Sequence, residues 1–216
     1  MPENFTEAEV RVLGSLVEKQ ITTPEYYPLT LNALTAACNQ KSNRDPVVSY
    51  DETIILGAVD SLRERNLLYL HYGSTSRTVK YKHMLPSVYE LAEAETAIIG
   101  VLMLRGPQTL GEIRERSGRL FEFTSISEVA EKLDELAGRD EPLVIKLARR
   151  PGQKDARYAH LLSGPIDETH ASFERAESAA SKPDDRISQL QEEVTVMRGE
   201  VDRLKSDFAD FRKQFE

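Results

Sequence analysis

The chain contains no long apolar run and only one cysteine. A transmembrane helix needs about 20 consecutive apolar residues, so no membrane segment is expected. Cys38 has no partner for an internal disulfide, which is typical of proteins from a reducing cytoplasm. The first residues, MPENFTEAEV, lack both the basic and the apolar regions of a signal peptide. These absences predict a cytoplasmic protein.

Sequence motifs of common enzymes are missing as well. The chain has no G-x-G-x-x-G, Walker loop, G-x-S-x-G, H-E-x-x-H or C-x-x-C pattern. His71 and His170 have no companion at metal-ligand spacing. We therefore expect no enzymatic activity, no cofactor and no metal site.

The chain is acidic, and its charge is unevenly distributed. The formal net charge is −8. Residues 163–216 contain 13 acids and 8 bases, whereas residues 1–162 contain 23 acids and 20 bases. Strong nucleic-acid binders usually carry a basic domain, and neither part of this chain is basic.

An internal repeat runs through the first three quarters of the chain. The segments TEAEVRVLGSL and AEAETAIIGVL, which begin at Thr6 and Ala92, are identical at five of eleven positions. Three further pairs follow in the same order: LTLNAL with QTLGEI, VDSLRERN with LDELAGRD, and VKYKHML with ARYAHLL. Four matches in one order predict two copies of a unit of about 75 to 80 residues. His83 and His160 occupy equivalent strand positions in the two copies, which favours a packing role for both.

Each copy is predicted to form three helices followed by two strands. Thr30 and Asp51 are expected to begin the second and third helices of the first copy. The segments TLGE and SISE have capping-box spacing in the second copy. The third helix of the first copy has a predicted apolar core face of Ile54, Ile55, Ala58, Val59 and Leu62.

Three helices and a hairpin are typical of a winged helix. We predict a mainly α protein with small β-hairpin wings, of the α+β class. The predicted winged-helix domains are residues 1–85 and 86–162. A generic α+β bundle is the alternative.

The remaining residues predict a linker and a coiled coil. Residues 163–185 are small, polar and charged, which is typical of a linker. Residues 186–216 carry apolar residues at alternating spacings of three and four, with acidic g positions preceding basic e positions. This heptad pattern favours a parallel homodimer, and a helix folded back on the body is the alternative. The predicted dimer seam is Ile187, Leu190, Val194, Met197, Val201, Leu204, Phe208, Phe211 and Phe215.

The predicted wings carry most of the candidate binding residues. Winged helices usually place their third helix in the major groove, but both third helices here have a net charge of −2. The basic wings could instead contact a DNA backbone or an acidic protein. Their candidate contact residues are Arg77, Lys80, Lys82, Arg149, Arg150, Lys154 and Arg157.

A second candidate surface is the segment ACNQKSNRDPV, between the second and third helices of the first copy. Residues 39–50 are 12 positions and the equivalent 118–125 are 8, although such a turn needs only about 3–4. We predict an exposed contact surface formed by Lys41, Asn43 and Arg44. The alternative is a loop that braces the fold, with Asn43 and Asp45 bonded to the backbone.

Three stretches carry a family resemblance: EKQITTPEYYPLTLNALTAACNQKSNRDPV, LRGPQTLGEIRERSGRL and RRPGQKDARYAHL. They resemble the YceH-like family of uncharacterised bacterial proteins over roughly Glu7 to Leu162. The resemblance implies a tandem winged-helix body in a cytoplasmic bacterial protein. It implies no activity and no catalytic residues.

The sequence therefore predicts a dimeric tandem winged-helix protein that binds DNA, as a transcriptional or nucleoid regulator. This functional step is an analogy from the fold. The alternative is a non-enzymatic adaptor whose acidic winged helices bind a protein partner.

Overall fold

A computed structural model describes residues 4–72, 78–149 and 155–165. These residues belong to one compact unit, Met1–Pro165. The unit combines helices with small antiparallel sheets, so the predicted α+β class is confirmed. Within the described residues, no helix is both long and apolar enough to cross a membrane. The predicted coiled coil, its dimer seam and most of the predicted linker lie outside the described residues.

The same order of elements occurs twice. The first half comprises α1 (Glu7–Thr22), a 3-10 helix (Pro24–Tyr26), β1 (Leu29–Thr30), α2 (Leu31–Cys38), α3 (Glu52–Glu64), β2 (Leu68–Tyr72) and β3 (Val79–His83). A short helix α4 (Leu85–Tyr89) leads to the second half, which comprises α5 (Glu93–Arg105), β4 (Gln108–Thr109), α6 (Leu110–Ser117), α7 (Ile126–Ala137), β5 (Val144–Lys146) and β6 (Arg157–His160). The sheet orders are β1-β3-β2 and β4-β6-β5.

Side-chain caps begin the helices at the predicted residues. Thr30 accepts from the N–H of Ala33, and Asp51 accepts from the N–H of Ile54. The TLGE segment forms a complete capping box. In SISE only the Ser125 half forms, because the carboxylate of Glu128 accepts from Thr124 instead. Local sequence therefore determines where these helices start.

The two halves pack together through α1 and α5, at equivalent glycines. A Cβ atom on Gly14 would lie 2.9 Å from the Leu104 side chain and 3.1 Å from Met103 Cβ. A Cβ atom on Gly100 would lie 3.0 Å from the Val17 side chain. The absence of side chains at both positions lets the helix backbones approach closely, and the core is continuous across this contact.

A repeated ion pair ties each third helix to the first helix of its own half. Arg65, just after α3, lies 3.6 Å from the carboxylate of Glu9 on α1. Arg139, just after α7, lies 3.0 Å from the carboxylate of Glu95 on α5. Both glutamates are buried and accept from backbone N–H groups at the start of their helices. The same arginine–glutamate pair therefore holds the third helix against the first helix in each half.

Candidate partner-binding surface

The loop between α2 and α3 crosses to the other half of the molecule. The N–H of Asp45 donates to the carbonyl of Leu104 on α5 at 2.9 Å. Arg105 donates to the side-chain oxygen of Asn43, whose φ is +60°. These contacts explain why the loop is longer than a helix-turn-helix requires, because it must reach the end of α5.

Two buried arginines hold this loop in place. Arg44 donates to the carbonyl of Ala37 at 2.9 Å and pairs with Glu18 at 2.7 Å. Arg11, from α1, donates to the carbonyls of Cys38 and Pro46. Burial, followed by the neighbouring Arg44, lowers the pKa of Arg11. The guanidinium groups therefore satisfy carbonyls at the end of α2 and in the loop that would otherwise lack donors.

The prediction that Arg44 is an exposed contact residue was wrong. Arg44 is only 6% exposed, because its guanidinium is used by Glu18 and by loop carbonyls. Asn43 is half-buried at the junction with Arg105, whereas Lys41 is exposed as predicted. The loop braces the fold, as in the alternative, but the Asn43 side chain accepts from the side chain of Arg105 rather than from the backbone, and Arg44 was not part of that alternative.

The outer face of α3 combines apolar and acidic side chains. Ile55, Ala58, Val59 and Leu62 form the core face as predicted. Ile54 was expected to join them, but it is exposed at the edge of that face. Leu56, 39% exposed, precedes Asp60 and Arg63 at helical spacings of four and three. The α3 surface that faces solvent is therefore neither basic nor uniformly polar.

A groove separates this face of α3 from strand β2. Its walls are Asp60, Arg63, Glu64, Leu68 and Tyr69. Asp60 and Arg63 form an exposed ion pair across one helical turn at 3.0 Å, which leaves Glu64 as a second carboxylate at the groove. Tyr69 is 49% exposed, and Tyr72 further along β2 is 64% exposed. The groove thus offers aromatic and apolar contacts beside two carboxylates.

Among the described strands, β2 pairs with β3 alone and leaves its other edge unpaired. The N–H of Met84 donates to the carbonyl of Leu67, so these residues form a hydrogen-bonded pair. Such pairs alternate along antiparallel strands. The N–H and C=O groups of Leu68, Leu70 and Tyr72 consequently point away from β3, toward the outer edge of the sheet. A further strand could pair there.

The equivalent surface of the second half lacks this combination. Tyr69 corresponds to Ile145 by the strand registers, and Glu64 corresponds to Gly138 by the repeat. Helix α7 keeps an acidic outer face and has its own exposed ion pair, between Lys132 and Glu135 at 2.6 Å. The combination of Tyr69 and Glu64 at one groove therefore belongs to the first half. Sequence reasoning missed Leu56, Tyr69 and Tyr72, because no sequence signature separates exposed apolar residues from core residues.

The candidate wing cations differ in availability. Lys82 and Arg149 are exposed, and Lys80 is half-buried on β3. Arg157 on β6 pairs with Glu112 at 2.8 Å and donates to the carbonyl of Pro107, so it holds the sheet against α6. The other three predicted wing residues, Arg77, Arg150 and Lys154, lie outside the described residues.

Cys38 and His83 are buried, and His160 is half-buried. Burial raises the pKa of Cys38 to about 11, which disfavours the nucleophilic thiolate at neutral pH. Burial lowers the pKa of His83 and of His160 to about 4. No group of three or more potential ligands that could hold a metal ion occurs among the residues that the structure describes.

Comparisons with known proteins place the chain in a family. Residues 5–153 match the model described as "Protein of unknown function, DUF480". A UPF0502 protein of Pelobacter propionicus is 49% identical over 213 residues, which cover 96% of each chain. A UPF0502 protein of Opitutus terrae is 49% identical over 196 residues, covering 90% of this chain and 83% of its own. UPF0502 protein GSU0233 of Geobacter sulfurreducens is 45% identical over 216 residues, covering 98% of both chains. The chain therefore belongs to the DUF480 family of uncharacterised bacterial proteins, the UPF0502 proteins.

Proposed function

We propose that this protein is a non-enzymatic adaptor that binds a partner protein through the groove between α3 and β2. In this proposal each half is a winged helix, with β2–β3 and β5–β6 as the wings. The repeated order of three helices and a hairpin-bearing sheet supports that assignment. The predicted C-terminal coiled coil would present two such bodies in one homodimer.

The composition of the α3 surface carries the proposal. A DNA-reading helix needs cations because phosphate attraction dominates nucleic-acid affinity. Helix α3 instead exposes Leu56 beside Asp60 and Glu64. Protein interfaces are enriched in aromatic side chains, and the exposed Tyr69 of β2 borders the same groove.

The open edge of β2 defines how a partner would bind. An extended segment can add a strand at Leu68, Leu70 and Tyr72, where main-chain hydrogen bonds supply affinity. Side chains of that strand would meet Leu68 and Tyr69, and a lysine or arginine would meet Glu64. The partner is therefore expected to contribute an extended segment with apolar and basic residues.

Charge reversal on α3 tests the proposal against a matched control on α7. We expect the Asp60→Lys, Glu64→Lys variant to lose its partner in quantitative affinity purification, since the groove becomes basic. The control variant, Asp134→Lys, Glu135→Lys, makes the same charge change on the equivalent helix. It also disrupts an equivalent exposed ion pair. Equal retention of every captured protein by both variants would contradict the proposal.

A photo-crosslinking amino acid at position 69 adds a positional test. Crosslinks from this site should join the partner through an extended segment that mass spectrometry can locate. The same amino acid at position 145, the equivalent strand position of the second half, should give no crosslink to that segment. Crosslinking from position 145 but not from position 69 would place the partner elsewhere.

DNA binding is the second candidate function, and exposed cations on the wings favour it. Lys82 and Arg149 are exposed at hairpin strands or their ends. If the wings contact DNA, reversing Arg149 and Arg150 to Glu should weaken binding at low salt and flatten its salt dependence. Reversing Lys132, on the acidic α7, should have a smaller effect. Equal losses would exclude docking led by the wings.

A further inference from the structure

Positive charge accumulates at the junction of the two halves. Six cationic side chains there contact or approach two carboxylates, Glu18 and Glu112. We call this group the junction cluster, and its cations are Lys19, Arg44, Arg105, Arg116, Arg119 and Arg157.

Glu18 already forms a close ion pair within the fold. Its carboxylate is almost fully buried and lies 2.7 Å from Arg44. Lys19 and Arg119 lie further away, at 3.9 and 3.7 Å. The tight pair with Arg44 leaves little negative charge for Arg119, whose side chain is 63% exposed.

Glu112 is shared in the same way. Arg157 lies 2.8 Å from one carboxylate oxygen, and Arg116 lies 3.4 Å from the other. Burial alone would raise the pKa of Glu112, but the N–H of Thr109 and both guanidinium groups hold it below its ordinary value. Glu112 is therefore ionised at neutral pH, and it still leaves the cluster with more cations than anions.

Arg105 contacts a neutral side chain and lies near two other guanidinium groups. It donates to the neutral side chain of Asn43. Burial lowers the pKa of Arg105, and the nearby Arg116 and Arg119 lower it further. Arg105 is therefore half-buried among other guanidinium groups, an arrangement that an added anion would relieve.

We infer that the junction cluster binds a phosphate group between Arg105, Arg116 and Arg119. Arg116 lies in the last turn of α6 and Arg119 in the turn that follows, three residues on, while Arg105 ends α5. Guanidinium groups match phosphate oxygens with paired, charge-assisted hydrogen bonds. Arg105 and Arg119 also contact the first half, through Asn43 and Glu18. Phosphate binding would therefore strengthen the contact between the halves, independently of any partner at the α3 groove.

Thermal unfolding of the full chain in inorganic phosphate tests this inference. About 10 mM phosphate should raise the Tm by about 3 °C relative to chloride of the same ionic strength, since a ligand that binds only the folded state stabilises it. Arg119→Gln should abolish most of this shift, and Arg116→Gln should do the same. Titration followed by phosphorus NMR should show affinity at least about tenfold weaker in both variants.

Arg114→Gln is the matched control. Arg114 lies on α6, carries the same charge and, within the described residues, donates to the carbonyls of Phe123 and Thr124, outside the cluster. Its phosphate-dependent shift should equal that of the unmodified protein. Because each shift is measured against the variant's own Tm in chloride, a loss of basal stability does not obscure the result. No shift in the unmodified protein, or equal shifts in all three variants, would overturn the inference.

Competition identifies the source of the phosphate group. A short DNA duplex that displaces inorganic phosphate, and whose binding falls in Arg119→Gln but not in Arg114→Gln, would identify a nucleic-acid backbone. Displacement by a nucleoside diphosphate but not by the duplex would identify a small phosphorylated ligand. Both results support a phosphate site at the junction.

Discussion

Arg44 and Glu18 form an ion pair of 2.7 Å in which both side chains are almost fully buried. Arg44 comes from the loop between α2 and α3, and Glu18 comes from α1. The same guanidinium also donates to the carbonyls of Ala37 and Asn43. This single side chain therefore fixes the loop that reaches from the first half to the second.

Arg44→Ala should destabilise the protein strongly. Removing one partner of a buried pair leaves an uncompensated charge and typically costs about 3–5 kcal/mol. The Tm should then fall by about 10 °C, measured by circular dichroism. Lys41→Ala, on the same loop but exposed, is the control and should leave the Tm within about 2 °C. A small effect of Arg44→Ala would show that the loop does not brace the fold.

Gly14→Ala should lower stability although alanine favours helices. The new Cβ would lie 2.9 Å from the Leu104 side chain and 3.1 Å from Met103 Cβ, inside a packed core. Overpacking typically costs about 1–3 kcal/mol, which exceeds the helix-propensity gain of up to about 1 kcal/mol. Urea unfolding should therefore give a lower free energy of unfolding.

Gly57→Ala, on α3, should instead raise the free energy of unfolding. A Cβ atom at Gly57 has no neighbour within 4 Å, so only the helix-propensity gain remains. This variant should be more stable by up to about 1 kcal/mol in the same urea experiment. If both glycine variants were stabilised equally, close packing at the α1–α5 crossing would not be a constraint.

Local sequence signals predicted the elements well. The caps at Thr30, Asp51 and Thr109 begin their helices because the groups that satisfy the first N–H donors lie within three residues. The internal repeat predicted that both halves would share an order of helices and strands. The two-residue strands β1 and β4 were not predicted, because a segment of that length has no periodicity to detect.

Contacts between distant residues explain what the sequence did not reveal. Arg44 meets Glu18 across 26 positions, and Arg105 meets Asn43 across 62. No local pattern distinguishes a buried arginine in a polar loop from an exposed one. The long loop between α2 and α3 was correctly noticed, but its length lets Asn43 and Asp45 contact the second half. Exposed Leu56 and Tyr69 were missed because exposure depends on which elements pack nearby.

The heptad pattern of residues 186–216 makes a separate prediction about oligomeric state. Nine apolar seam positions would form a stripe about 45 Å long in a helix. Light scattering should give a dimer for the full chain and a monomer after truncation at Asp185. Val201→Asp should weaken the dimer, since it places a charge in the seam. A dimer that survives truncation would move the main interface to the body.

Acid should destabilise the protein through His83 and His160. Burial lowers both pKa values from 6.5 to about 4 in the folded state. Below pH 6.5 the unfolded chain binds protons that the folded chain does not, so stability falls as the pH falls toward about 4. Each histidine can contribute at most about 3 kcal/mol to this loss. Urea unfolding across this interval should show the decline.

Two substitutions separate the effect of His83 on acid stability from the effects of the other titrating groups. His83 is 2% exposed, and neither ring nitrogen has a hydrogen-bond partner among the residues that the structure describes. His83→Leu therefore removes the titrating group without breaking a described side-chain hydrogen bond. The slope of the unfolding free energy against pH should decrease by an amount that corresponds to at most one bound proton. His71→Gln, at an exposed position of β2, should leave the slope unchanged. A slope that is the same in His83→Leu and in the unmodified protein would show that His83 is not responsible for the acid sensitivity.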